Sequence, residues 1–437
     1  MSNSVRGPLC FAVIACLLMI VGFGQSWSVA LSIVNLCLIS AIMALGLNMQ
    51  WGYAGLFNVG VMGFAALGGV AAVLISSEPV AEAWKAGGLN LLWTAVALVI
   101  AIAALVFVQK KVPRGALRMI ATAAVLLIGY GVIRIFFDPA TDAIEEVDPA
   151  KTGFLGGLDL PIMLAWPIGG VVAAAAAWLI AKVALGLRSD YLAIATLGIS
   201  EIVLAVLKNE DWLTRGVKNV VGLDRPVPYE VDLQSSAQFE SFVAGLGMET
   251  LDASTIFVKL CYAALFIAVL AVVMVLAQKA LNSPWGRMMR AIRDNEVAAE
   301  AMGKDVTRRH TEIFVIGAAV IGIAGAMLTT LDGQFTPSSY QPLRFTFLIW
   351  VMVIVGGSGN NWGSILGAFV IWFVWIEAEP AGLWLMETAT SVLGEDSALR
   401  EHLLMGAPYT RVCVMGLILL IVLRFSPRGL IPEPVKR

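Results

Sequence analysis

Long apolar runs follow one another along almost the whole chain, separated by short polar or glycine-rich stretches. A helix that crosses the roughly 30 Å hydrocarbon core of a bilayer needs about 20 mainly apolar residues, because each residue adds 1.5 Å. We predict candidate spans at 8–25, 28–49, 57–76, 90–108, 116–137, 162–184, 189–207, 256–279, 311–331, 344–357, 362–378 and 409–426. The pattern therefore predicts an all-α fold, a polytopic transmembrane helical bundle of ten to twelve spans.

Three parts of this pattern differ from plain spanning helices. The runs 344–357 and 362–378 are short, so one or both could be half-helices or re-entrant segments. The region 28–76 is interrupted by WGYAG at 51–55 and could fold differently from a simple helical hairpin. The first run is explained by an uncleaved first helix, with a cleaved signal peptide ending at SVA (28–30) as the alternative.

Composition agrees with a membrane protein and leaves no room for a soluble catalytic domain. Of the 437 residues, 59% are hydrophobic and 14% are charged. The longest stretches outside the spans are 208–254, 280–310 and 379–408, each too short for an independent core. We therefore predict one transmembrane domain over 1–437.

Basic residues in short loops predict the orientation, because Lys and Arg are enriched on the cytoplasmic side. With twelve spans and both termini in the cytoplasm, three basic clusters fall on that side. These clusters contain Lys110, Lys111, Arg114 and Arg118; Arg287, Arg290, Arg293, Lys304, Arg308 and Arg309; and Arg424, Arg428, Lys436 and Arg437. The acidic segment 138–151 and a small folded loop at 208–254 are then external, and the loop 280–310 is cytoplasmic.

Several kinds of chemistry are disfavoured. The five cysteines lie in apolar runs without CxxC spacing, and the two histidines, His310 and His402, do not support a metal site or a hydrolase. A net charge of −2 without a basic domain gives no reason to expect nucleic acid. The glycines of VGGSGNNWG (355–363) lack the Lys-Ser or Lys-Thr of a nucleotide loop, so they indicate close helix packing and a tight turn. We expect no cofactor, no enzymatic activity and no ATP site in this chain.

A polar stretch, RAIRDNEVAAEAMGKDVTRRH at 290–310, stands between two apolar runs. A partial apolar stripe of Ala291, Val297, Ala298, Ala301 and Met302 predicts a short amphipathic helix, which Gly303 would end. Thr307 could cap a second helix that enters the membrane. The stretch is either a solvated loop, a helix on the lipid surface, which its acidic residues disfavour, or a helix that docks into a groove of a partner.

Three polar residues are candidates for a translocation pathway, because ionisable and polar groups at membrane depth need a polar setting. Asp190 and Glu201 lie eleven residues apart, so they share one helix face about 16 Å apart. Glu201 fits a pathway or a structural pair equally well, and Asp190 also fits a helix start. Asn48 stands where an apolar run ends, so it could expose backbone groups to substrate or form an inter-helix hydrogen bond.

Residues 297–303, VAAEAMG, resemble the signature loop of bacterial ABC importer permeases, in which Glu-Ala-Ala is followed by three residues and Gly; here Val297 replaces the Glu. Four segments, one of which contains this loop, are similar to LivM-type permeases of branched-chain amino acid ABC importers. They are LGLNMQWGYAGLFNVGVMGF (45–64), LRSDYLAIATLGISEIV (187–203), SPWGRMMRAIRDNEVAAEAMGKDV (283–306) and IVGGSGNNWGSILGAF (354–369). Val61 and Met62 depart from the family's usual residues, which weakens the substrate assignment more than the family assignment.

The resemblance implies a permease subunit in a bacterial cytoplasmic (inner) membrane that moves branched-chain or related amino acids. It implies a homologous second permease, two ATP-binding subunits and an extracytoplasmic solute-binding protein as partners. The residues that would contact an ATP-binding subunit are Glu296, Ala298, Ala299, Glu300 and Gly303. Permeases of urea and short amides share these motifs, so those substrates are the alternative. An ion-coupled secondary transporter is the alternative from another class, and it needs titratable residues near mid-membrane, of which Glu201 is nearly the only one.

Overall fold

A computed structural model of the chain describes residues 3–149, 152–391 and 397–433. Its α-helices are α1 Asn3–Gly24, α2 Trp27–Gln50, α3 Val61–Ser76, α4 Ala81–Lys111, α5 Ala116–Glu145, α6 Ala165–Ala184, α7 Ser189–Asn209, α8 Asp211–Thr214, α9 Glu230–Gln234, α10 Ala237–Leu246, α11 Thr250–Asn282, α12 Pro284–Asp294, α13 Glu296–Ala301, α14 Val306–Asp332, α15 Pro342–Gly356, α16 Asn361–Ala389, α17 Ala398–Gly406 and α18 Thr410–Phe425. Two short strands, β1 Val220–Val221 and β2 Gln334–Phe335, pair antiparallel. Single 3₁₀ turns occur at Ile162–Leu164, Gly216–Lys218, Pro337–Ser339 and Ala407–Tyr409.

Within the described ranges, ten helical segments are long and apolar enough to cross a membrane, and α3 and α15 are shorter apolar helices. These twelve elements correspond one to one to the twelve predicted spans, so the all-α transmembrane bundle is confirmed. The short run 344–357 is indeed a short helix, α15, of 15 residues. The run 362–378 is not a half-helix, because α16 continues to Ala389 over 29 residues.

The two ends of the bundle carry different parts of the chain. At one end, Arg6 near the start of α1 donates to the Ser426 hydroxyl just after α18, at 2.8 Å. Arg293 of α12 forms an ion pair there with Glu433. We call this end the loop end, and the opposite end, where Val220 pairs with Phe335, the ribbon end. The first and last spanning helices therefore begin and finish at the same end, as an even number of crossings requires.

The centre of the bundle is built around α2 and α14. In the apolar stretches of these two helices, 72% and 67% of the residues are buried. Helices α3, α6 and α11 pack around them. Small residues permit this close approach: a Cβ added to Gly325 of α14 would stand 1.9 Å from the carbonyl oxygen of Ala65 in α3. In contrast, α4 and α5 form a hairpin, and only 11% and 0% of the residues in their apolar stretches are buried. Its exposed apolar side chains fit contact with lipid.

Two peripheral parts of the sequence are also ordered in the fold. The loop 208–254 contains α8, α9, α10 and β1, which confirms that this loop is folded. Its contact with the bundle includes the hydrogen bond from the backbone N–H of Leu155 to the carbonyl of Trp212, at 3.0 Å. The first apolar run forms α1, which packs against α2 and α16.

Candidate translocation and coupling site

The backbone between α2 and α3 leaves the helical conformation for ten residues, 51–60, and then turns back toward the ribbon end as α3. Gly55 has a φ of +75°, a conformation that favours glycine, and it lies against the side chain of Arg293. We call residues 51–60 the broken segment. Its existence confirms that the region 28–76 is not a simple helical hairpin.

Buried amides organise the broken segment. Asn48, Gln50 and Asn58 are each 0% exposed. Asn58 donates from Nδ2 to Oε1 of Gln50 at 2.7 Å, and its own Oδ1 accepts the backbone N–H of Gly60 at 2.8 Å. Gln50 in turn donates from Nε2 to the carbonyl of Phe314 in α14, at 2.8 Å. Since buried polar groups are costly when unpaired, these bonds hold the broken segment against α14.

Further bonds connect the broken segment to α7 and α15. The indole N–H of Trp350 donates to the carbonyl of Asn58 at 2.9 Å, and the hydroxyl of Thr196 accepts the backbone N–H of Val59 at 3.0 Å. The hydroxyl of Thr346 accepts the N–H of Met62 at the start of α3, at 3.4 Å. The broken segment and the start of α3 are therefore hydrogen-bonded to α7, α14 and α15.

Asn48 connects α2 to the glycine-rich turn before α16. Its Nδ2 donates to Oδ1 of Asn361 at 3.1 Å, and its Oδ1 accepts the N–H of Gly359 at 2.9 Å. The inter-helix hydrogen bond that was one of the two alternatives for Asn48 is therefore present. Its role in a pathway stays a prediction.

The glycine-rich turn itself has the packing role that the sequence indicated. Gly357 and Gly359 have φ values of +120° and +77°. A Cβ on Gly356 would stand 2.0 Å from the carbonyl oxygen of Gly363. The backbone N–H of Ile431, in the segment 426–433 that follows α18 and that we call the tail, donates to the carbonyl of Gly356 at 2.8 Å. The turn is thus a tight backbone junction between α15, α16 and the tail.

The polar stretch forms two helices, α12 and α13, where the sequence predicted one. Asn295 separates them, and its side chain accepts the N–H of Ala298 at 2.9 Å as the cap of α13. Gly303 follows with a φ of +76°, which confirms the predicted tight turn. The cap of α14 is Asp305, whose Oδ1 accepts the N–H of Arg308 at 2.9 Å. Thr307 is therefore not the cap, because the helix begins one residue before it.

Helix α13 buries none of its side chains in this chain. Val297 is 76% exposed and Met302 is 79% exposed. The neighbouring residues Ala298, Ala301, Glu296 and Glu300 are exposed as well. Ala299 is half-buried against the bundle, and Ala291, predicted to join the same stripe, is exposed on α12. We call α13 together with Met302 and Gly303 the exposed knuckle. The bundle leaves its apolar side uncovered.

Arg293 of α12 joins the exposed knuckle to the broken segment. Its Nη1 donates to the carbonyl of Gly52 and to Oε2 of Glu433, the latter at 3.1 Å. Arg290 lies over the ring of Tyr53, 5.9 Å from its centroid. Burial raises the pKa of Tyr53 to about 12, and the Glu433 carboxylate acts in the same direction, so the phenol is neutral at pH 7. Arg293 and Arg290 therefore connect α12 to residues 52 and 53 of the broken segment.

Asp190 and Glu201 share an exposed face of α7, opposite its buried residues Leu192, Thr196 and Ser200. Asp190 lies in the first turn of the helix, as expected of a helix-start residue. Glu201 has no ion-pair or hydrogen-bond partner among the described residues. The structure thus brings Asn48 into the buried network and leaves Asp190 and Glu201 outside it.

Sequence reasoning missed other ionisable side chains within the long helices. Lys259 of α11 donates from Nζ to the hydroxyl of Ser28 at 2.6 Å. Glu377 of α16 accepts from Gln25 at 2.8 Å, and Glu379 pairs with Arg411. Glu201 is therefore not the only ionisable side chain within the long helices. Lys259 and Glu377 lie inside the predicted spans 256–279 and 362–378, whereas Glu379 lies one residue beyond the second span but still within α16.

Among the described residues, no group of three or more His, Cys, Asp or Glu side chains is arranged to hold a metal ion.

Comparison with known proteins gives consistent results. A family described as "Branched-chain amino acid transport system / permease component" matches residues 115–423. The high-affinity branched-chain amino acid transport system permease protein LivM of Salmonella typhimurium is 31% identical over 208 residues, 47% of this chain and 48% of that protein. A probable LivM protein of Methanocaldococcus jannaschii is 29% identical over 283 residues, 64% and 69% of the two chains.

A more distant similarity concerns the fructose import permease protein FrcC of Rhizobium meliloti, which is 27% identical over 94 residues, 21% of this chain and 26% of that protein. The chain spans about half the length of the LivM protein from Salmonella typhimurium. No solved structure matches.

Proposed function

Because this chain belongs to the family of permease components of branched-chain amino acid transport systems, we propose that it is the membrane-spanning subunit of an ATP-driven importer in a bacterial cytoplasmic membrane. Its substrates are branched-chain or related amino acids. It works with a homologous second permease, two ATP-binding subunits and an extracytoplasmic solute-binding protein. The loop end, with both termini, faces the cytoplasm, where the basic residues of short loops belong.

The observation that carries this proposal is the exposed knuckle. A six-residue helix with no fully buried side chain presents Val297 to solvent, and the adjacent Met302 is exposed as well, which costs free energy unless another surface covers them. The family match points to an ATP-binding subunit as the covering surface. Of the residues assigned to this contact, Glu296, Ala298 and Glu300 are exposed and Ala299 is half-buried.

The contacts of Arg293 suggest how the motion is transmitted. Closure of the ATP-binding subunits pushes the exposed knuckle, which continues into α12 through Asn295. Arg293 then moves the carbonyl of Gly52, and the amides of the broken segment pass the displacement to α7, α14 and α15. This is a shear-type change between two packed arrangements, driven by differential binding of the two states.

The test is reconstitution in liposomes of the chain with its candidate partner subunits and binding protein. ATP hydrolysis and uptake are measured for leucine, isoleucine, valine and urea. We expect uptake of a branched-chain amino acid only when ATP and all subunits are present. Uptake of urea alone would move the assignment to the short-amide alternative. Uptake by the chain without ATP-binding subunits, driven by a proton or sodium gradient, would overturn the proposal.

A paired substitution tests the exposed knuckle directly. Val297→Asp places a charge on the proposed contact, and Val231→Asp is its matched control, since Val231 is 72% exposed on α9 near the ribbon end. We expect Val297→Asp to lower substrate-stimulated ATP hydrolysis and uptake at least tenfold, because a buried unpaired carboxylate opposes docking. Val231→Asp should leave both rates unchanged. Equal behaviour of the two variants would contradict the docking role.

A further inference from the structure

The hairpin of α4 and α5 carries an open apolar groove between its two helices. The groove has a volume of about 330 Å³, and only residues of these two helices line it. Its sides include Ile100 and Ile128, which are 62% and 67% exposed. Small residues form its base, where a Cβ on Gly129 would stand 3.1 Å from the Cβ of Ala101. A long, narrow surface of this kind matches a flexible hydrocarbon chain.

The contacts that attach the hairpin to the rest of the chain lie at the ribbon end. Phe137 packs edge-on against Trp212, with ring centroids 5.7 Å apart. Ala83 and Ile144 form a small buried cluster with Leu155. The half of the groove toward the loop end is far from these contacts, so the membrane or another molecule must cover it.

The loop-end tip of the hairpin has a concentrated positive charge. Its four basic residues are Lys110, Lys111, Arg114 and Arg118. No Asp or Glu stands between Glu82 and Asp138, so the hairpin supplies no carboxylate near the tip to balance this charge. Clusters of Lys and Arg directly beside the end of a spanning helix attract the headgroups of anionic lipids.

The groove begins at the right depth below the tip for a lipid chain. Arg118 donates from Nη2 to Oε1 of Gln109, and Gln109 donates from Nε2 to the hydroxyl of Thr122 at 3.3 Å, so polar bonds join the helices above the groove. Along α4, Ala104 and Ile100 lie about 8 and 14 Å from Gln109. The hydrocarbon of one leaflet is about 15 Å deep. The loop-end half of the groove therefore lies within the leaflet whose headgroups surround the tip.

We propose that the hairpin is a binding site for one anionic phospholipid of the leaflet at the loop end. Lys110, Lys111 and Arg114 hold the phosphate, and one acyl chain lies in the groove against Ala104 and Ile100. The charge of the tip favours a lipid over the apolar helix of a partner protein, because such a helix supplies no counter-charge. This inference does not depend on which solute the chain transports.

The first experiment counts phospholipids bound to the purified full-length chain by native mass spectrometry, over a range of lipid concentrations. Phosphatidylglycerol should bind about tenfold more tightly than phosphatidylcholine with the same acyl chains, because several cations contribute to the headgroup contact. The combined variant Lys110→Gln, Lys111→Gln, Arg114→Gln should bind both lipids equally. Absence of a preference in the unchanged chain would overturn the proposal.

A matched variant tests whether the hairpin matters or only the charge of the whole loop end. It replaces three other exposed basic residues of that end by Gln, namely Lys279, Arg424 and Arg428. This control should keep the tenfold preference. An equal loss of preference in the two combined variants would show general attraction to a basic surface and would overturn the proposal.

A second pair of variants tests the groove. Ala104→Phe fills it, and the control is Ala123→Phe, since Ala123 is exposed on α5 at a similar depth and does not line the groove. Ala104→Phe should weaken binding of long-chain phosphatidylglycerol about fivefold, because the acyl chain loses its contacts. Binding of short-chain phosphatidylglycerol, which keeps the same headgroup, should be unchanged. Equal effects of the two variants on the long-chain lipid would overturn the groove assignment.

The same count on the complex assembled with the proposed partner subunits tests a protein as the occupant of the groove. Retention of one phosphatidylglycerol, and its loss in the combined hairpin variant, would support the lipid site. Displacement of the lipid upon assembly would show that a partner subunit covers the groove and would overturn the proposal.

Discussion

The pair Asn58 and Gln50 offers the sharpest test of how the broken segment is held. Replacing Asn58 by Leu, which has a similar shape, removes the partners of Gln50 Oε1 and of the Gly60 N–H. Replacing Gln50 by Leu removes the partners of the Phe314 carbonyl and of Asn58 Nδ2. In the double variant, only the Gly60 N–H and the Phe314 carbonyl lose a partner. Each single variant therefore removes two hydrogen bonds and the double variant removes all three, while the Phe314 carbonyl keeps its bond within α14.

The magnitude follows from this count. A hydrogen bond within a membrane protein contributes about 0.6 kcal/mol on average and up to about 1.7 kcal/mol. With two bonds lost, we expect each single variant to be destabilised by about 1–3 kcal/mol, and with three bonds lost we expect the double variant to be destabilised by about 2–5 kcal/mol. The double-mutant cycle then gives a coupling energy of about −0.6 to −1.7 kcal/mol, because the bond between Asn58 and Gln50 is counted in both single variants but only once in the double variant.

The assay is reversible unfolding of the purified chain in mixed detergent micelles, with stability read from the midpoint and slope of the transition. Asn209→Leu is the control, since the Asn209 amide lies exposed at the end of α7 and bonds only the carbonyl of Ala205. It should change stability by less than about 0.5 kcal/mol. Additive single effects, with a coupling energy near zero, would refute the hydrogen-bond account of the broken segment.

The remaining predictions concern the coupling route, α7 and the bundle centre. Arg293→Gln should leave folding intact but reduce the uptake per ATP hydrolysed in the reconstituted complex, because the bond to the Gly52 carbonyl loses its charge. An unchanged ratio of uptake to hydrolysis would contradict the transmission of motion through Arg293. Glu201→Gln should alter turnover or substrate preference at normal yield, and a lower yield with unchanged turnover would instead indicate a structural role. Gly325→Leu should abolish folded protein in detergent gel filtration, because its Cβ has no space, whereas Gly416→Leu, with nothing within 4 Å, should not.

The apolar pattern predicted the bundle well because hydrocarbon imposes a length and a composition on each span. It also located the interruption at 51–55, since glycine and polar residues in an apolar run mark a break. Helix bounds were less accurate where a span continues into polar residues. Helix α4 begins at Ala81 and α16 ends at Ala389, beyond the predicted 90 and 378, because backbone hydrogen bonding continues after the hydrophobic pattern stops.

The polar stretch at 290–310 shows both what local chemistry predicts and where it fails. Gly303 ends its helix as predicted, because glycine adopts a positive φ without steric cost. Thr307 was wrongly predicted as a cap, since Asn, Asp and Thr can all cap a helix, and the choice among them depends on where the helix starts. The exposed α13 could not be foreseen, because exposure is a property of what packs nearby.

By itself, the sequence determined that this chain is a membrane bundle, where its helices run, which parts lie between them, and which family's segments it carries. These properties depend on neighbours in the chain, through apolar length, glycine and loop charge. Only the tertiary structure decided that Gln50 and Asn58 hold the broken segment and that Arg293 bonds Gly52. Those contacts join residues of different helices, and helix packing sets which faces meet, so no local pattern contains them.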